Sequence, residues 1–128
     1  MSLRRRRRGM TLVEIMVVIA ILVMLSSAVA IWALSQAEQA RIQRARLDMK
    51  SIVQALDLYK AQHGRYPDAQ PLSSLQRQLA LTEVHDPWRR EYLYSVEGGT
   101  AVVRTLGADG APGGEGEDAD LSSADPEH

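Results

Sequence analysis

Arg4-Arg5-Arg6-Arg7-Arg8-Gly9-Met10-Thr11-Leu12-Val13-Glu14 opens the stretch that decides the fold, and residues 15–34 continue it as an apolar run broken only by Ser26 and Ser27. About 20 apolar residues at roughly 1.5 Å rise each make a helix as long as the hydrocarbon core of a bilayer is thick. The β-branched residues Ile15, Val17, Val18, Ile19, Ile21 and Val23 would also suit a strand. Length decides for helix: ordinary strands are far shorter, and a lone strand in lipid leaves its backbone unsatisfied. The arginine cluster ahead of the run fits the positive-inside rule and puts residues 1–9 in the cytoplasm.

Glu14 is a lone carboxylate just inside this run. A charge near lipid is costly and normally needs a partner. One reading leaves Glu14 at headgroup depth, complementing the positive end of the helix dipole. The other follows from the whole string. In a secretory signal the cleavage site comes after the apolar region, whereas here the basic cluster abuts Gly9 and the apolar run lies downstream. Basic leader, Gly9, Met10 as a new N-terminus and glutamate four residues later resemble the prepilin leader of the type IV pilin and type II secretion pseudopilin families. The resemblance implies cleavage after Gly9 by a prepilin peptidase and N-methylation of Met10. It also implies pairing of Glu14 with the positive N-terminus of Met10 on a neighbouring subunit. The family usually has phenylalanine where this chain has Met10.

At 128 residues the chain has room for one small domain beside an anchor. Its formal charge of −1 hides an asymmetry. Without the five leader arginines, 10 basic side chains face 16 acidic ones, about −6 for the remainder. Arg104 is the last basic side chain apart from the terminal histidine. Beyond it lie Asp109, Glu115, Glu117, Asp118, Asp120, Asp125 and Glu127. Nucleic acid is therefore not an expected partner. The absence of cysteine excludes disulfides, catalytic thiols and thiolate zinc sites. A small domain outside the cytoplasm then needs another staple, a metal or a neighbouring subunit.

After residue 34 the composition turns polar without a break. Residues 35–62 contain no Gly or Pro and are rich in good helix formers. Ile42, Ala45, Met49, Ile52, Leu56 and Tyr59 recur at spacings of three and four, which is one helical face. Glu38, Arg41, Arg44, Asp48 and Lys60 fall largely off it. The pattern predicts one continuous helix over residues 10–62, roughly 80 Å long, ended by Gly64 and Pro67. A short helix is predicted over residues 72–81. Strands are predicted over residues 91–96 and 100–106, joined by a three-residue loop, Glu97-Gly98-Gly99. The fold class is α+β: a long N-terminal helix packed against a small antiparallel sheet.

In this order, Ala45-Arg46-Leu47-Asp48, Ala55-Leu56-Asp57-Leu58-Tyr59-Lys60, His63-Gly64-Arg65-Tyr66-Pro67, Asp86-Pro87-Trp88, Tyr92, Leu106-Gly107-Ala108-Asp109-Gly110 and residues 113–120 resemble the major pseudopilin of type II secretion systems. The departures are specific. Ile31 stands where the family often has a proline that kinks or melts the helix. Arg89-Arg90-Glu91 follow Asp-Pro-Trp in place of Gly and a second Pro. The segment between Pro67 and Asp86 is short, and the family's C-terminal aromatic residue is missing.

The resemblance implies three segments: a cleaved cytoplasmic leader at 1–9, a transmembrane and filament-core half-helix at 10–34, and a periplasmic domain at 35–128. It implies a single-pass inner-membrane protein that forms a homopolymer with minor pseudopilins, built by an inner-membrane assembly platform. Repetition of one heterologous contact gives an open helical filament. Two other functions are compatible with the anchor. A surface or competence pilin acting in adhesion or DNA uptake would need a basic exposed patch, which the acidic tail opposes. A monomeric membrane-anchored calcium-binding module would not polymerise.

No catalytic constellation is present, and an enzyme is not expected. His63, His85 and His128 lack metal-ligand spacing, and the C-terminal glycines are not followed by P-loop residues. The acidic, glycine-rich residues 106–120 are the one metal candidate. Calcium takes six to eight oxygens on a backbone able to turn tightly. Gly113 to Asp118 matches the opening of the calcium nonapeptide Gly-Gly-x-Gly-x-Asp, though only once. Composition alone favours a solvated acidic tail with no metal. The resemblance implies one calcium, with carboxylates from Asp109, Asp118 and Asp120 and carbonyls from Leu106 and Ala111; Glu115 or Glu117 could stand in for a carboxylate.

Overall fold

The computed structural model describes residues 9–125. The leader arginines and His128 therefore lie outside the described residues. The chain divides into two compact units between Gln36 and Ala37. One helix, α1 (Leu12–His63, 52 residues), contributes to both.

In the first unit α1 begins with a reciprocal cap. The Glu14 amide donates to Thr11 Oγ1 at 3.3 Å, and the Thr11 amide donates to Glu14 Oε2 at 3.4 Å. This is the Thr-x-x-Glu capping box, which satisfies amides that the first turn cannot. The apolar side chains that follow, from Leu12 to Leu34, are all exposed. Ser26 and Ser27 do not disturb them. Each hydroxyl donates four residues back, to Leu22 O at 2.7 Å and Val23 O at 3.0 Å, so neither needs water. The helix passes through Ile31 without a break, so no turn is melted there.

In the second unit the predicted stripe is the buried one: Ala45, Met49, Ile52 and Leu56 are buried, with Tyr59 and Val53 packed beside them. Gly64, at φ +78°, ends α1 by donating to Lys60 O at 2.7 Å. The stripe packs on Leu72, Leu75, Leu79, Val84, Tyr92, Ala101 and Val103. The short helix is shorter than predicted. Regular helix covers only α2 (Leu72–Leu75), and turns continue to Ala80, whose φ of +50° terminates them. The apolar spacing marked the buried face, not the helix length. Pro71 offers no side-chain cap to α2; instead Glu91 Oε1 accepts the Ser73 amide at 2.6 Å.

The sheet has the order β1-β2-β3, with β1 (Leu93–Glu97), β2 (Thr100–Thr105) and β3 (Leu121–Ser122) all antiparallel. Glu97 pairs with Thr100, so the hairpin loop is Gly98-Gly99 and not the expected three residues. Both glycines have positive φ (+56° and +80°), the requirement of a two-residue type I′ turn, whose twist matches that of the strands. Glu91, expected to begin a strand, instead forms an isolated bridge with His85 that closes residues 85–91 into a loop. Strand β3 carries no periodic signal in two residues. It exists because the C-terminal segment returns to β2, where the Ser123 amide donates to Val103 O at 2.8 Å and Ser123 Oγ accepts the Val103 amide at 2.9 Å.

Candidate functional site

The expected processing residues lie ahead of α1. Gly9 and Met10 are exposed and outside regular structure. A Cβ on Gly9 would meet nothing within 4 Å, so packing within the described residues does not require glycine there. Glu14 stands one turn inside the helix, engaged only by Thr11 among the described residues.

The C-terminal loop, residues 106–120, is built by close backbone approach. At Gly107 (φ +64°) a Cβ would lie 2.7 Å from Glu117 O and 2.8 Å from Ala119 O. At Gly114 it would lie 2.5 Å from Asp118 O. Any larger residue at either position would force the strands of the loop apart. The Ala108 amide donates to Glu117 O at 2.9 Å, laying the turn at 107–110 beside the single 3-10 turn Gly116–Asp118. The two segments that carry the expected calcium ligands, 106–111 and 118–120, are thus brought side by side.

Each expected ligand can be placed. Leu106 O accepts the Gly110 amide at 3.2 Å, Asp109 Oδ1 accepts the Ala111 amide at 3.0 Å, and Asp120 Oδ2 accepts the Gly113 amide at 2.9 Å. Ala111 and Asp118 are exposed, and Asp118 has no side-chain hydrogen bond among the described residues. Carbonyl and carboxylate oxygens keep further lone pairs after one such bond, so the donors fit a hard cation in kind. Among the described residues, however, no three acidic or histidine side chains converge as a metal cluster. Glu117 has another role: its Oε1 accepts Arg41 NH1 at 2.6 Å and Trp88 Nε1 at 3.0 Å. The Arg41 guanidinium, and after it the Trp88 indole, hold the Glu117 carboxyl below the usual range. Of the two stand-in carboxylates, Glu115 is the one not committed to this pair. Replacing Arg41 by alanine is expected to move the Glu117 titration upward, as read by carbon-13 NMR of its carboxyl; an unmoved midpoint would show that the ion pair does not form.

Asp86 organises the loop that supplies Trp88. It is buried, and its Oδ1 accepts the amides of Trp88 (3.0 Å) and Arg90 (2.8 Å) while Oδ2 accepts Thr105 Oγ1. This explains the aspartate of Asp-Pro-Trp, whose role the motif alone did not reveal. Arg89, at φ +69°, occupies the left-handed region that favours glycine, the residue the family resemblance usually places after Asp-Pro-Trp. The strain of roughly 1–2 kcal/mol exceeds the roughly 0.4–1 kcal/mol that glycine's extra freedom costs through the unfolded state. Arg89→Gly is therefore expected to stabilise by about 0.5–1 kcal/mol and raise Tm by a few degrees. An unchanged or lower Tm would count against a strained Arg89.

An exposed apolar half-helix behind a processing motif, running into a one-sided helix that carries a small sheet, defines a pilin-like subunit. The sequence comparisons agree. Residues 4–30 match the prokaryotic N-terminal methylation motif, and residues 33–124 match the family model of type II secretion system protein G. The chain is 36% identical to the type II secretion system core protein G of Pseudomonas aeruginosa, covering 95% of this chain and 98% of that one. It is 37% identical to the Vibrio cholerae protein of the same description, over 96% and 95%, and 33% identical to that of Escherichia coli, over 86% and 88%. The chain belongs to the type II secretion system protein G family, the major pseudopilins. The match favours this family over the surface-pilin alternative and makes the chain a structural subunit of the secretion apparatus.

Proposed function

We propose that this chain is made as a single-pass inner-membrane precursor with residues 1–9 in the cytoplasm and the domain from residue 35 in the periplasm. Prepilin peptidase cleaves after Gly9, and Met10 is N-methylated. An inner-membrane assembly platform then draws subunits from the bilayer into a periplasmic homopolymer, with minor pseudopilins as further components, and growth of the filament drives protein export.

One observation carries this reading: every large apolar side chain from Leu12 to Leu34 is exposed, so nothing among the described residues covers that half of α1. Lipid covers it first and neighbouring copies cover it later. Calcium serves the C-terminal loop as a staple, held by Asp109, Asp118 and Asp120 with the carbonyls of Leu106 and Ala111. Its positive charge would gather carboxylates that otherwise repel one another. The test of the polymer is cysteine cross-linking of the full chain in membranes, with pairs placed along residues 15–34. A ladder of multimers supports the proposal; monomers alone, after confirmed cleavage, would return the chain to a membrane-anchored module.

A further inference from the structure

We infer that Arg90 is a built-in cation of the C-terminal loop, a positioning residue that assembles the turn at residues 107–110 before any metal arrives. The guanidinium NH1 donates to Gly107 O at 2.8 Å and to Ala108 O at 2.7 Å. Two carbonyl oxygens converging on one positive centre are the arrangement a hard cation would use. Arginine supplies that charge at every physiological pH.

The loop is shaped around this side chain. A Cβ on Gly110 would lie 2.5 Å from Arg90 Nε and 2.6 Å from Cζ, so glycine there leaves the space that the guanidinium fills. The backbone of Arg90 is fixed as well. Its amide donates to Asp86 Oδ1 at 2.8 Å and its carbonyl accepts the Asp86 amide at 2.7 Å. Asp86 is in turn tied to Thr105, the last residue of β2, one residue before the loop begins. The arginine therefore bridges the rigid end of the sheet and the turn that leaves it. Its two bonds fix the turn whose Ala108 amide meets Glu117 O, and so set the position from which residues 117–120 are approached. Metal then has only the acidic half of the loop left to order.

This inference deepens the calcium reading but stands or falls separately from it. The experiment is amide hydrogen exchange on the full chain in detergent, with EDTA or with calcium, following the amides of Ala108 and Gly110. In wild type these amides are expected to stay protected in EDTA, with calcium free to slow them further. Arg90→Met, which keeps the length without the donors, is expected to speed them at least tenfold in EDTA while the core amides of Tyr92 and Val103 stay unchanged. Arg90→Lys, which restores a cation with donors, should recover part of the protection; it also serves if Arg90→Met fails to fold. Wild-type amides that open fully in EDTA, or loop amides indifferent to both substitutions, would overturn the inference. Calcium titration calorimetry of the wild type separates the two readings. No heat of binding removes the calcium site and leaves Arg90 in place, whereas heat of binding with wild-type amides of Ala108 and Gly110 that are unprotected until calcium is added does the reverse.

Discussion

Replacing Glu14 with alanine is expected to abolish filaments while leaving membrane insertion and cleavage after Gly9 intact. Insertion depends on the apolar run, which alanine lengthens. The lost capping box costs only about 1 kcal/mol, small for a helix of 52 residues. Assembly is different. In the proposed filament core the carboxylate of Glu14 would face the N-terminus of a neighbour, and removing one partner of a buried pair costs roughly 3–5 kcal/mol. Repeated at every contact, that loss leaves no ladder. Glu14→Gln separates the two roles, because glutamine serves in a capping box but carries no charge. The expected order is wild type forming ladders, with Gln and Ala both failing. Gln assembling like wild type would assign Glu14 to its own helix end, and the intermolecular pairing would have to be abandoned.

Chelation is expected to have the largest effect on stability. A ligand at about 100 times its dissociation constant stabilises the folded state by roughly 2.7 kcal/mol. For a domain of this size that corresponds to about 10–20 °C in Tm. Differential scanning of the full chain in detergent, with calcium and then excess EDTA, should show such a drop. Asp118→Ala should abolish the difference. Asp118 is the informative position because Asp109 and Asp120 each hold a backbone amide, so replacing either would disturb the loop even without metal. A wild-type Tm indifferent to millimolar calcium would reduce residues 106–120 to an acidic, hydrogen-bonded extension. The filament reading would survive that result.

Much of this molecule was legible because its strongest signals are periodic or long. The stripe from Ala45 to Leu56 repeats at three and four, and tertiary packing buries that face. The apolar run could be only one kind of element. Turn details were less visible. Glu97 carries no mark distinguishing a strand end from a loop residue; only the need for positive φ at two successive positions assigns the turn to Gly98-Gly99. Strand β3 is created by a contact between residues far apart in the chain, which no local pattern encodes. The same holds for Arg41, which reaches Glu117 across 76 residues, and for Arg90. Arg89-Arg90 did stand out as a departure from Gly-Pro. Yet the departure could not show that one arginine would sit at a strained φ and the next would hold two carbonyls.

The uncovered half of α1 also sets the supply of the filament. Moving some twenty apolar side chains into water would cost of order 30 kcal/mol, so the aqueous phase can hold no appreciable pool of free subunits. In the proposed assembly, growth must draw on the subunits diffusing in the plane of the bilayer. The concentration that governs elongation is thus a number per area of membrane, so crowding or thinning the bilayer would tune the filament without touching a single protein contact.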